Sequence, residues 1–121
     1  MEHDPVEILN KIAEFKYVSE PDVLVREVRM ILDLGEMNPE LRIKVWRSEY
    51  PPSEPYSYDL SHYAWTPEQA GPYRPGSRSN ATEEGAIKSA VLAVATYLQA
   101  AIDQGHEPNE PKDWLVPNEN Y

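Results

Sequence analysis

The sequence predicts a single α+β domain, with a three-stranded antiparallel sheet covered on one face by an N-terminal helix and a long Ala-rich C-terminal helix. Three observations predict this class. An amphipathic segment opens the chain, alternating apolar and polar residues fill its middle, and an apolar run rich in alanine follows. A chain of 121 residues has the size of one domain, so residues 1–121 are taken as one unit.

The first helix is predicted over residues 5–17. Asp4 before Pro5 supplies an N-cap followed by a first-turn proline. The apolar residues recur at helical spacing, at Ile8, Leu9, Ile12 and Phe15. A polar segment around Pro21 should then turn the chain.

Three strands are expected next, over residues 23–34, 41–50 and 56–65. The second alternates most clearly, with Leu41, Ile43 and Val45 on one face. The first is ambiguous, because its polar residues also fall on one helical face. A strand is preferred there, since two strands alone form a marginal sheet whereas three form a sound meander.

The last helix is the most strongly indicated element. Asn80 followed by Glu83 has the pattern of a capping box, and the apolar run continues to Gln104 with Gly105 as a stop. The loop before it, residues 66–79, contains three prolines and two glycines, and loops of this length often carry function. The segment 106–121 should be an extended tail, with mobility and docking through Trp114-Leu115-Val116 both left open.

The element order α-β-β-β-α resembles the arrangement of double-stranded-RNA-binding domains, in which both helices cover one face of the sheet. The resemblance concerns element order only. Where those domains begin the last helix with a lysine-rich segment, this chain has Thr82-Glu83-Glu84. The net charge of -10 also repels phosphate, so no nucleic acid partner is expected.

The amino-acid composition and the spacing of histidines and glycines argue against several classes of functional site. The absence of cysteine removes disulfides and thiolate chemistry, and we expect a cytoplasmic protein without a secretory signal or a membrane span. His3 and His106 lack the spacing of metal ligands, and no nucleotide-binding glycine motif is present. We therefore expect no metal, no cofactor and no enzyme activity.

Asp59, Ser61 and His62 are the residue types of a hydrolytic triad, but the pattern does not favour catalysis. On a continuous strand Ser61 and His62 would point to opposite faces, and no nucleophile elbow surrounds the serine. No catalytic residue is predicted.

Two candidate sites remain. Arg74, Arg78, Ser79 and Asn80 precede the free backbone N–H groups of the last helix, a pattern typical of anion binding. The open face of the sheet should present cations beside aromatic rings, as protein interfaces do. The residues predicted for this interface are Arg29, Arg42, Lys44, Trp46, Tyr63 and Trp65.

The interface is the leading functional hypothesis, because segment 23–49 balances five acids against five bases while the rest of the chain carries the whole negative charge. It predicts a non-enzymatic interaction or regulatory module that binds a protein partner or forms a homodimer. The alternative is a domain that binds a small anionic ligand at the loop before the last helix.

Overall fold

The computed structural model describes residues 5–121, and the predicted α+β class with an antiparallel sheet is confirmed. The helices are α1 (Pro5–Ala13) and α2 (Glu83–Asp103). The strands are β1 (Asp22–Ile31), β2 (Glu40–Ser48), β3 (Tyr56–Leu60), β4 (His62–Ala64), β5 (Ser79–Asn80) and β6 (Leu115–Pro117).

The strands form two sheets. The larger has the order β1-β2-β3-β5 with antiparallel neighbours, and the smaller pairs β4 with β6. The strand interpretation of residues 23–34 is thus confirmed. Gly35, at φ +78°, lies in the loop that joins β1 to β2, a backbone conformation that glycine adopts without steric cost.

The core lies between α2 and one face of the large sheet. Leu41, Ile43 and Val45 of β2 are fully buried there, as their alternation predicts. From α2, the fully buried residues are Ala86, Ala90, Val94, Leu98 and Ala101. Because three of these five are alanines, the helix backbone lies close to the strands.

The third predicted strand, residues 56–65, is interrupted at Ser61. The Ser61 N–H donates to the Arg42 carbonyl at 3.0 Å, and the Arg42 N–H donates to Ser61 Oγ at 2.9 Å. The Ser61 hydroxyl thus takes the place of the backbone carbonyl that would accept from the Arg42 N–H in a continuous strand. The chain leaves β3 at this point and enters the second sheet as β4. The prediction of one continuous strand was wrong because serine competes locally for backbone partners.

The helix boundaries also differ from those predicted. Thr82 is the N-cap of α2, and its hydroxyl accepts from the Gly85 N–H at 2.9 Å. Asn80 pairs with β3 instead, and its side-chain oxygen accepts from Ser89 Oγ. The first helix ends at Ala13, four residues early, while its expected N-cap, Asp4, lies outside the described residues.

Residues 106–121 contain a buried anchor and the last strand. Trp114 is fully buried, and its indole N–H donates to the Glu110 carbonyl at 3.1 Å. β6 follows it and pairs with β4. The Asn118 N–H then donates to the Ser61 carbonyl, which ties this segment to the point where the two sheets meet.

Candidate functional site

Four of the six predicted interface residues share the open face of the large sheet. Arg29 lies opposite Arg42 in the β1–β2 register, and Lys44 and Trp46 follow along β2 at alternate positions. Their neighbours in β2 are the buried core residues, so these four side chains lie on the other side of the sheet.

Much of this face is occupied by contacts within the chain. Arg29 pairs with Glu40, and the Trp46 indole N–H donates to Asp59 Oδ2 at 2.9 Å. The Lys44 ammonium lies 4.2 Å from the centre of the Tyr121 ring. Three of the four predicted contact residues are therefore already engaged.

Tyr121 brings the end of the chain onto the same face. Its hydroxyl donates to Glu27 Oε2 at 2.7 Å across 94 residues of sequence. Burial of the ring and this hydrogen bond raise the pKa of the Tyr121 hydroxyl, so it stays protonated and remains a donor well into the alkaline range. The C-terminal segment thus covers part of the predicted interface.

Tyr63 and Trp65, the other two predicted interface residues, lie elsewhere. Tyr63 belongs to β4, and Trp65 is the first residue after that strand. Because β4 pairs in the smaller sheet, neither residue is on the open face of the large sheet. The Arg74 guanidinium stands 5.4 Å from the centre of the Tyr63 ring, and the Lys112 ammonium lies over Trp65. The break at Ser61 separates these two rings from the other four residues.

Arg74 and Arg78, predicted for anion binding, line one cavity of about 440 Å³. Arg78 forms an ion pair of 2.7 Å with Asp59 Oδ1. Within residues 5–121, Arg74 forms no ion pair and stacks only on Tyr63. The other lining residues are Asp59, Leu60, Tyr63, Pro75, Asn118 and Asn120.

Ser79 and Asn80 do not join the two arginines. Both lie in β5, where they pair with Ser57 and Tyr56. The cavity instead recruits Asn118 and Asn120 from the C-terminal segment. Sequence reasoning missed these two amides because nothing local indicates that β6 returns the chain to this place.

The residues that resemble a triad do not assemble as one. Ser61 Oγ lies 2.9 Å from His62 Nδ1, closer than an unbroken strand would allow. The two Asp59 oxygens, however, contact Arg78 and Trp46 rather than the histidine. Among residues 5–121 no group of three His, Asp or Glu side chains could hold a metal ion.

The outer face of α2 is a surface that sequence reasoning treated only as part of the core. Residues 89–102 contain no charged side chain, yet the exposed side of the helix runs through them. Leu92, in the N-terminal half of this run, is 51% exposed. The side chains along this face, in order, are Lys88, Leu92, Ala95, Thr96, Gln99, Ala100 and Asp103.

A surface helix normally carries polar and charged residues on its outer side. The signal in the sequence was therefore the fourteen-residue run without charge. A helix that buries only one side needs uncharged residues on that side alone, whereas this run includes every side of the helix. By length and composition alone, α2 is long and apolar enough to cross a membrane. The core helices of soluble proteins can meet the same two criteria. Its five fully buried residues pack in the core.

Comparisons of this chain with protein-family models, with curated proteins and with solved structures each found no match.

Proposed function

We propose that this chain is a non-enzymatic protein-interaction module that binds its partner through the outer face of α2. The observation that carries the proposal is the uncharged, exposed side of this helix between Lys88 and Asp103. Leu92 is the large exposed apolar side chain of this strip, and apolar surface left open on a folded domain is a candidate interaction site. The open face of the sheet supports binding less well, because three of its four predicted contact residues already have partners within the chain.

The composition of the face suits a packed helical contact. Leu92 projects between small neighbours, Ala95 and Thr96 among them, so a partner can approach the helix backbone closely. Leu92 is half exposed, and covering what remains of its apolar surface would contribute roughly 1 kcal/mol. The alanines add little desolvation cost, since they carry no polar side-chain atoms to leave without partners.

A photo-reactive benzoylphenylalanine at position 96 tests the proposal in the cells that make the protein. We expect the Thr96 position to cross-link to a protein, and the cross-link to disappear when Leu92→Glu is added to the same chain. The matched control places the same group at Tyr50, which is 70% exposed and lies in the loop between β2 and β3. Equal cross-linking from positions 96 and 50, or cross-linking that survives Leu92→Glu, would contradict the proposal.

The cavity of Arg74 and Arg78 supports a second candidate function, the binding of a small carboxylate or phosphate. The observation that favours it is the Arg74 guanidinium, which borders a cavity and has no carboxylate partner within the described part of the chain. Two Asn side chains line the same cavity and could orient such a ligand by hydrogen bonds.

Titration with inorganic phosphate or acetate, followed by NMR, tests this candidate. We expect saturable shifts at Arg74, Arg78 and Asn118, and their loss in Arg74→Gln. Arg29→Gln, which removes a cation from the sheet face, is the control and should leave the shifts intact. Absence of shifts at millimolar ligand concentrations would exclude the site.

A further inference from the structure

We infer that the partner of α2 is α2 of a second copy of this chain, packed antiparallel about a twofold axis near residues 95 and 96. The inference rests on the proposed function and names its partner. Most homodimers use one surface patch on both subunits, and such a patch must complement itself. The charges at the two ends of α2 meet this condition.

Lys88 and Asp103 bound the uncharged face. Both are exposed, and on a helix of 3.6 residues per turn they project within about 60° of each other on the outer side. Antiparallel packing about residues 95 and 96 places Lys88 opposite the partner's Asp103 at each end. Leu92 then lies opposite the partner's Gln99, with Ala95 and Thr96 at the centre.

The charge pattern also fixes the orientation. A parallel pair would place Lys88 beside the partner's Lys88 and Asp103 beside the partner's Asp103, which repels at both ends. Antiparallel helix dipoles add to the preference. No ion pair of the described residues engages Lys88, and Asp103 accepts only from Gln99, at 3.0 Å, so both charges are open to a partner.

A second copy fits this face better than a lipid bilayer does. The core side of α2 already packs against the sheet, so only the outer strip is free to bind. The net charge of -10 repels anionic head groups. A second copy also supplies complementary charges at the fixed spacing of Lys88 and Asp103, which a fluid membrane surface does not.

The dimensions predict a weak dimer. Lys88 and Asp103 lie about 22 Å apart along the helix at 1.5 Å per residue. One strip of that length, built largely from small side chains, buries less than about 1,200 Å² in total, the range of weak and transient complexes. We expect a dissociation constant on the order of 10–100 μM, so that monomer and dimer exchange as concentration changes.

Sedimentation equilibrium over about 1 μM to 1 mM, with Leu92→Glu and Ile31→Glu beside the parent chain, tests the inference. The two residues are equally exposed, at 51% each, but Ile31 lies on β1. We expect the parent chain and Ile31→Glu to dimerise alike and Leu92→Glu to bind at least tenfold more weakly. A dimer lost in Ile31→Glu and kept in Leu92→Glu would overturn the inference.

Charge reversal tests the register with variants at exposed positions. Lys88→Glu and Asp103→Lys should each weaken the dimer about tenfold at low salt, because each change replaces two attractive contacts by two repulsive ones. The double variant should restore the parent affinity within about threefold. Failure of this rescue would refute the antiparallel register. Far-UV circular dichroism should show that all four chains are equally folded.

The cross-linking from position 96 separates this inference from the proposed function. A parent chain that stays monomeric at 1 mM while position 96 cross-links to a different protein refutes the second copy and leaves the interaction module intact. A monomer without such cross-links refutes both. Cross-links to lipid alone would assign the face to a membrane and refute both as well.

Discussion

Replacement of Trp114 by alanine should destabilise the whole domain rather than loosen its C-terminal segment alone. The indole is fully buried in the same cluster as Val94 and Leu98 of α2. Truncation of a buried tryptophan to alanine costs about 3–5 kcal/mol. A domain of this size has about 5–15 kcal/mol of stability in total, so the change removes a large share of it.

Urea unfolding followed by far-UV circular dichroism measures this loss, since fluorescence would change with the tryptophan itself. With a urea m-value of about 1–3 kcal/mol/M, the midpoint should fall by at least about 1 M. Phe15→Ala, at a residue that is 60% exposed, is the control and should stay within about 0.5 kcal/mol of the parent. A midpoint unchanged by Trp114→Ala, together with faster proteolysis near Lys112, would show that the segment detaches alone and would refute the reasoning.

Three further changes have defined outcomes. Tyr121→Phe removes the hydrogen bond to Glu27 and should cost about 1 kcal/mol at neutral pH. Because the pKa of Tyr121 is raised on folding, its contribution is complete below about pH 10 and lost above it, so thermal scans should show a smaller alkaline loss in the variant. Thr82→Ala removes the N-cap hydroxyl of α2, which accepts from the Gly85 N–H, and should lower the stability in the same scans by about 1 kcal/mol. Thr82→Ser keeps a hydroxyl at this position and should retain the parent stability. Gly35→Ala forces alanine to φ +78° and should cost roughly 1–2 kcal/mol, and an unchanged melting temperature would contradict the turn geometry.

The sequence predicts the regular elements of this fold well because their signals are periodic. The alternation of β2 and the long apolar run of α2 each define an element and its buried side. The break at Ser61 has no such signal, since one serine in an otherwise alternating segment does not announce that its hydroxyl will bond Arg42. The prediction therefore joined β3 and β4 into one strand.

The candidate sites could be predicted less well, for a related reason. Arg74 and Arg78 lie four residues apart, and the sequence assigned both to one anion site together with Ser79 and Asn80, whereas the cavity contains only the two arginines of that set. Asn118 and Asn120 reach the same cavity only because β6 pairs with β4, a contact that local patterns do not encode. On α2, the apolar periodicity predicts the buried side but does not indicate that the outer side also lacks charge between residues 89 and 102.

The C-terminal contacts set the order in which the domain can form during translation. Leu60 is synthesised well before Asn118, which donates to its carbonyl. Glu27 precedes Tyr121, which donates to its carboxylate, by 94 residues. At about 5–20 residues per second, roughly 5–19 s pass between the two. Once Ser48 has been synthesised, the hairpin of β1 and β2 can form, but the part of its open face that Tyr121 contacts stays uncovered until residue 121 follows. The contacts of Tyr121 with Glu27 and Lys44 are therefore among the last within this domain that can form during synthesis.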